Sequence, residues 1–324
     1  MKNPDIAVII NSFNRLNLLK DCLGALNLWY SKSPFSERLA IVIYDAGSND
    51  GTLEWLQKTK PEFDFPIHVI IPKSGDDTSF AAGINKGVFY AEESFPDLRY
   101  LLFYETDNQI LNSKALENAL TLLENRPKLG ACGFTVRKTN GEPAGVGMPF
   151  PTLVNFALGK NFVYRFKLED IRYKWDNSTE NIEFSPVDVV YTSPLLVKLK
   201  AWKASGGLDE KMFPFSDCDI DWAIRLRKLG WSMGVVRSDA VIHDNQETLS
   251  NWSKSRAMQF HRGRLRYFKR HNPISVYFVW PTFLLARHAI ELALSKAFIK
   301  EPERRNQLSG QFSNLLKSSL KNYE

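Results

Sequence analysis

Short apolar runs alternate with stretches of helical spacing through the first part of this chain. Ile6-Ala-Val-Ile-Ile10 is continuously apolar, ends at Asn11 and predicts a buried strand. From Arg15 to Tyr30, Leu16, Leu19, Leu23 and Leu26 recur at three- and four-residue intervals, which predicts a helix with one apolar face. The same alternation continues. Strands are predicted at Leu39 to Tyr44, Pro66 to Ile71 and Tyr100 to Tyr104, and helices at Thr52 to Lys58, Phe80 to Glu93 and Ser113 to Glu124. From Gly141 to Pro186 the pattern weakens into aromatics and mixed charge, which predicts loops with short elements. It returns as a strand at Val187 to Tyr191, a helix at Asp217 to Leu229 and a strand at Met233 to Val236. A long helical tail, basic and apolar, closes the chain.

Strands that alternate with helices predict βαβ units, hence an α/β fold with a mainly parallel, Rossmann-like sheet flanked by helices. Such sheets bind ligands beyond the carboxyl ends of their strands. Asn11 to Arg15, Asp45 to Gly51 and Glu105 to Asp107 each follow a predicted strand directly, so all three should line one rim.

Composition changes this picture little. The chain has 324 residues, 44% hydrophobic and 24% charged, as in ordinary globular proteins. Its net charge of +6 is concentrated. Arg256, Arg262, Arg264, Arg266, Lys269 and Arg270 lie in one segment without an acid, suited either to an anionic partner or to a solvated basic helix. Cys22, Cys132 and Cys218 show no zinc or disulfide spacing, which points to a reducing compartment. The N-terminal apolar run is too short for a signal peptide. The run Ile274 to Ala286 is interrupted by Pro281 and falls short of the roughly 20 apolar residues that a spanning helix needs. Tyr277, Trp280 and the flanking bases fit an interfacial helix, and packing on the protein body is the other reading.

Acids cluster where chemistry is expected. Glu105-Thr-Asp107 sets two carboxylates at a strand end, where a hard cation, Mg²⁺ or Mn²⁺, can bridge them to a diphosphate. His243 follows the apolar Ala240-Val-Ile242 and can complete a Mn²⁺ shell or serve structurally. Asp45-Ala-Gly-Ser-Asn-Asp-Gly51 reads as a tight turn or as a contact to base and ribose. It has no Walker lysine. Phe80-Ala-Ala-Gly-Ile-Asn-Lys-Gly87 places small residues at a helix start, for close helix–sheet packing or close approach of a ligand. Asp217, Asp219 and Asp221 crowd a helix start, more acids than one cap needs. Asp221 and Arg225 have the spacing of an ion pair, and Asp219 points elsewhere.

Taken in order, these segments resemble the inverting family 2 glycosyltransferases of GT-A fold, and most of all their bacterial rhamnosyl- and galactofuranosyl-type polysaccharide branch. The carriers are Val8-Ile-Ile-Asn-Ser-Phe-Asn-Arg15, Asp45 to Thr52, Phe80 to Gly87, Glu105 to Asp107, Gly206-Gly-Leu-Asp-Glu210, Phe213 to Arg225 and Val241-Ile-His243. The resemblance implies a metal-dependent, inverting sugar transfer from a UDP- or dTDP-sugar to a hydroxyl of a glycan or lipid-linked glycan, in cell-surface polysaccharide synthesis. It implies nucleotide contacts from Asn11, Ser12, Arg15, Asp45, Asp50, Gly83 and Lys86, and a metal held by Glu105, Asp107 and His243. It implies a base at Asp219, with Asp217 as the alternative, and acceptor contacts from Trp222, Asp221 and Gly207. Glu105 replaces the usual first Asp of the metal motif, and Cys218 stands before Asp219 where the family has Glu. Thr192-Ser-Pro194 replaces the usual small-residue acceptor pair. The expected organisation is a catalytic domain over 1–250, with a nucleotide-sugar half to about 110 and an acceptor half from 111, and a helical extension over 251–324. No nucleic-acid partner is implied. A cytoplasmic enzyme is implied, peripheral on the inner membrane face through 262–300, with a homodimer contact through the same helices as the competing use. A nucleotidyltransferase is disfavoured because Asn11 to Leu19 lacks a glycine-rich basic loop. A non-catalytic binding protein is disfavoured by the joint presence of Asp107, Asp219 and His243.

Overall fold

A computed structural model describes residues 3–59, 62–145, 147–168, 174–176, 181–191, 194–243, 254–272 and 282–321. Thr192, Ser193, Asp244 and most of the Ile274 to Ala286 run lie outside the described residues. In chain order the elements are β1 (Ile6–Ser12), α1 (Leu16–Tyr30), β2 (Leu39–Asp45), α2 (Thr52–Thr59), β3 (Ile67–Ile70), α3 (Phe80–Ser94), β4 (Tyr100–Phe103), β5 (Asn108–Ile110) and α4 (Lys114–Asn125). They continue as β6 (Leu129–Phe134), β7 (Val136–Arg137), β8 (Pro143–Gly145), α5 (Leu153–Leu158), α6 (Lys160–Arg165), β9 (Phe184–Val187), β10 (Leu195–Lys198), α7 (Leu199–Ser205) and α8 (Cys218–Lys228). The last are β11 (Ser232–Val236), β12 (Val241–His243), α9 (Lys254–His271), α10 (Thr282–Phe298) and α11 (Pro302–Ser319).

The chain forms two compact units. The first comprises Met1–Pro149, Tyr173–Pro214 and Cys218–Asn245. It carries an eight-stranded sheet in the order β3-β2-β1-β4-β10-β6-β11-β9. β3, β2, β1 and β4 run parallel, as do β6 and β11. β10 enters antiparallel between β4 and β6, and β9 closes the edge antiparallel to β11. The sheet is therefore parallel where the sequence alternates strand and helix, and mixed beyond. β1, β2 and β4 lose nearly all contact with water, because helices cover both faces. Ile6, Val8, Ile10, Ile41 and Ile43 join a core with Leu19, Leu23 and Leu26 of α1 and Leu116 and Leu120 of α4. On the other face α3 lies so close that a Cβ on Gly87 would meet Ile9 Cγ2 at 2.8 Å. There too Trp202 of α7 packs on Phe103 at 4.9 Å between ring centres, and on Trp222 of α8 at 5.5 Å.

A four-stranded sheet, β5-β12-β7-β8, stands after the end of β4. The expected strand at Val187 to Tyr191 lies a few residues earlier, at Phe184–Val187, and Val189 makes only an isolated bridge to Met148. β5, β6 and β10 carry no isolated sequence signal, being short or rich in small residues.

The second unit comprises Phe150–Arg172, Phe215–Asp217 and Gln246–Glu324. Its described elements are all helical. α10 and α11 pack as a hairpin, with Ser295 and Ser309 hydroxyls 3.0 Å apart. The Phe156 ring of α5 lies tilted against His261 of α9, whose ring packs edge-on against the buried His288 of α10. Among the described residues, no helix is long and apolar enough to cross a membrane.

Candidate active site

The carboxyl ends of β1 and β2 lie in register, Ser12 opposite Asp45. The loops that follow are tied together. Asn14 takes a left-handed φ of 52°, its N–H donates to Ser48 Oγ at 2.9 Å, and its Oδ1 accepts from Asn49 N at 2.8 Å. Asp50 is spent on two helix starts. Its Oδ2 accepts from Leu16 N at 2.9 Å, and its Oδ1 accepts from Thr52 Oγ1 at 2.5 Å and Thr52 N at 3.2 Å. What burial there is pushes its pKa up, but the Thr52 hydroxyl and these backbone N–H groups outweigh that and hold it below the usual value.

Asp45 is fully buried. Its Oδ1 accepts from Gly47 N at 3.0 Å and Ser48 N at 2.7 Å. Asp45 Oδ2, Asn11 Oδ1 and Ser12 Oγ are buried and have no hydrogen-bond partner among the described residues. Each such atom would cost about 1–3 kcal/mol if left unsatisfied, so their presence at the carboxyl ends of two neighbouring strands marks a place for ligand donors. Gly83 makes room for it. A Cβ there would sit 2.7 Å from Tyr44 Cδ1 and 2.9 Å from Asn11 Cγ. Lys86, one turn on, pairs with Asp76 at 3.1 Å and stands over the Tyr44 ring.

The third rim segment follows β4. Asn108 N and Nδ2 both donate to Glu105 O, at 3.0 and 3.1 Å, and fold Glu105-Thr-Asp107 into a tight turn. β5 then pairs antiparallel with β12, and the register sets His243 opposite Asn108. One ligand atom each from Glu105, Asp107 and His243 come within 4.8 Å of one another. His243 Nε2 lies 3.5 Å from Asp107 Oδ1, and Arg15 Nη1 lies 3.3 Å from Asp107 Oδ2. The Asp107 side chain is only 3% exposed. Two carboxylates and an imidazole at this spacing fit Mn²⁺ or Mg²⁺. The guanidinium beside Asp107 shows that the position already draws a cation.

Around α8 the acids divide. Asp221 is fully buried and accepts from Arg225 Nε at 2.8 Å. Arg225 also donates to Gly207 O at 2.7 Å and to Ser205 O. Trp222 is fully buried, its Nε1 donating to Ser205 Oγ at 2.7 Å. Asp221, Trp222 and Gly207 therefore join α8 to the end of α7. Gly207 takes a φ of 67°, and a Cβ there would press on Asn85 Oδ1 at 3.0 Å. Asp219 is half-buried in the first turn of α8, with its Oδ1 accepting from Ile220 N. Asp217, in the second unit, takes a left-handed φ of 60° and is gripped by Arg264 Nε at 2.7 Å and Nη2 at 3.3 Å. Both partners are under 10% exposed. α9 approaches closely enough for this because Gly263 faces Ser216, where a Cβ would stand 3.0 Å from Ser216 O. The sequence shows Arg264 only as one base among six. Its partnership with Asp217 depends on a contact 47 residues away in the chain.

Comparison with known proteins gives the class of this fold. The chain resembles the mannosyltransferase PcManGT of Pyrobaculum calidifontis, solved with GDP-Man and Mn²⁺, at TM-score 0.53 and 14% identity over 99% of this chain and 88% of that one. It resembles S. aureus TarS 1-349, solved with UDP-GlcNAc, at TM-score 0.51 and 14% identity over 99% and 92% of the two chains. It resembles GalNAc-T7, solved with UDP, GalNAc and Mn²⁺, at TM-score 0.57 and 10% identity, covering 98% of this chain and 56% of that one. No curated protein matches it in sequence. The fold is that of the GT-A glycosyltransferases. The family model "Glycosyl transferase family 2" matches residues 7–176, more than half of the chain, and the chain belongs to that family.

Proposed function

We propose that this glycosyltransferase moves a sugar from a nucleoside-diphosphate donor to a hydroxyl of a glycan or lipid-linked glycan, with inversion at the anomeric carbon. The observation that carries the reading is the single rim on which the buried acceptors Asn11 Oδ1, Ser12 Oγ and Asp45 Oδ2 follow the same sheet edge as the Glu105, Asp107 and His243 cluster. The ligands solved in PcManGT, TarS and GalNAc-T7 support a nucleotide-bearing donor.

Asp45 offers one oxygen to a base, since backbone N–H groups hold the other. One acceptor suits the single ring N–H of uracil or thymine better than the two-donor edge of guanine, so UDP or dTDP is the assigned carrier. Asp107, Glu105 and His243 would hold a divalent cation, which would supply positive charge to neutralise the departing diphosphate. Asp219 takes the proton of the attacking hydroxyl, a contribution of typically ~10²–10⁴-fold in rate. The pairing of Asp217 with Arg264 favours Asp219 over it for that role. The catalytic part is read as residues 1–250 and the remainder as a helical extension.

The test is a panel of nucleotide sugars incubated with the protein and Mn²⁺, followed by nucleoside-diphosphate release and by NMR of the product anomer. A UDP- or dTDP-sugar should be turned over to the inverted anomer, in a manner abolished by chelation. If no nucleotide sugar in the panel is bound or cleaved, the reading is wrong.

A further inference from the structure

Arg15 and a divalent cation would claim the same carboxylate, Arg15 from the Oδ2 side of Asp107 and His243 from the Oδ1 side. Arg15 immediately precedes α1, and its backbone is fixed on both sides by the Asn14–Ser48 and Leu16–Asp50 hydrogen bonds. Its head group is held much less firmly. It meets Asp107 Oδ2 through one nitrogen at 3.3 Å and is 31% exposed. Charge-assisted pairs of good geometry are shorter and often bidentate. Elsewhere in the chain, Arg38 meets Asp5 through two nitrogens at 2.9 and 2.8 Å, and Arg264 meets Asp217 at 2.7 and 3.3 Å. Arg15 is thus an arginine on a fixed stem with a loose head, facing a carboxylate that is nearly fully buried and needs a counter-charge.

We propose that Arg15 is a displaceable counter-cation. It neutralises Asp107 in the metal-free protein and gives up that carboxylate when a divalent cation binds. It then pairs with the diphosphate of the donor. The inference rests on the proposed donor and metal site and adds a positioning role for Arg15. Two cations cannot share one buried carboxylate without repulsion. Metal alone must therefore bind against the Arg15 charge, which has no other anion to turn to among the described residues. Metal arriving with a nucleoside diphosphate gives Arg15 a new anionic partner. Metal and nucleotide consequently bind with positive coupling, and the coupling is reciprocal.

The test measures free Mn²⁺ by electron paramagnetic resonance, with and without UDP or dTDP, for the wild type, Arg15→Gln and Arg15→Lys. Wild type should bind Mn²⁺ weakly alone and at least ~10-fold more tightly with nucleotide, within the range usual for coupled sites. Arg15→Gln should bind Mn²⁺ alone more tightly than wild type and lose most of the gain from nucleotide. Arg15→Lys, which keeps the charge, should behave more like wild type. If Arg15→Gln binds Mn²⁺ alone no better than wild type, the counter-cation role is overturned while the donor reading stands. If the wild type binds no Mn²⁺ even with either nucleotide, the metal-site reading fails and takes this role with it.

Discussion

Asp217 and Asp219 stand two residues apart and are held in different ways. Breaking the buried Asp217–Arg264 pair takes the carboxylate charge away from a buried guanidinium, a loss of about 3–5 kcal/mol for pairs of this kind. Asp217→Asn should therefore lower the melting temperature clearly. Asp219→Asn should lower melting less than Asp217→Asn and cut kcat by ~10²–10⁴-fold with donor affinity retained. Thermal melts beside steady-state kinetics separate the two. An inactive but stable Asp217→Asn variant beside an active Asp219→Asn variant would reassign the base. Asp107→Asn should weaken Mn²⁺-dependent nucleotide binding by at least about tenfold, as a calorimetric titration can show, because the central ligand of the cluster loses its charge. The sequence made Asp45 and the Glu105 to Asp107 segment legible, since each directly follows an apolar run. It left Asp217 open as the alternative to Asp219, because Arg264 approaches only through helix packing.

At the scale of elements, two helical glycines that look alike in sequence should respond in opposite directions. Gly24 in α1 has nothing within 4 Å of a built Cβ, and Gly24→Ala should stabilise the protein by roughly 0.5–1 kcal/mol in a denaturant titration. Gly83 in α3 has Tyr44 and Asn11 within 3 Å, so Gly83→Ala must displace one of them and should lower nucleotide affinity. Strand β10 carries a different kind of signal. Lys198 is 5% exposed and donates to Arg126 O at 2.9 Å, where burial, with Lys200 nearby, pushes its ammonium down to about 8. An unfolded lysine titrates near 10.5. Between those values the unfolded chain holds more protons than the folded one. Stability from this group therefore rises with pH across the window and is lost as pH falls through about 8. Lys198→Met should flatten that rise, read as the change in denaturation midpoint between the two ends of the window. β10 was not legible in the sequence. Four residues placed antiparallel between two parallel strands are selected by their neighbours, not by local propensity.

At the scale of the whole molecule, the open question is what the helical second unit meets. α10 exposes Phe283, Ile290, Leu294 and Phe298 along its length, and α9 ends in Lys269, Arg270 and His271. Apolar and basic groups together suit an anionic lipid surface, with each base adding ~1 kcal/mol near the headgroups. The proposed peripheral contact through 262–300 is tested by flotation with anionic liposomes. The full chain should float and be released by high salt, and a variant with Ile290, Leu294 and Phe298 replaced by Ser should stay in the pellet. If both float or neither does, the membrane reading fails, and a dimer contact is then tested by sedimentation.

The sequence by itself determined the parallel part of the sheet, because strands buried on both faces must be continuous apolar runs and their helices must show one apolar stripe. It also determined that three polar segments reach one rim, because each begins where a run ends. The tertiary structure decided which polar atoms are already spent. Asp50 caps two helices, Asp221 and Trp222 fasten α8, and Asp217 is committed to Arg264, whereas Asp45 Oδ2, Asn11 Oδ1 and Ser12 Oγ find no partner among the described residues. The β5–β12 pairing brought His243 to Asp107 across more than a hundred residues. Contacts over such separations leave no local periodicity, since they are fixed by sheet register and close packing and not by the residues beside them in the chain.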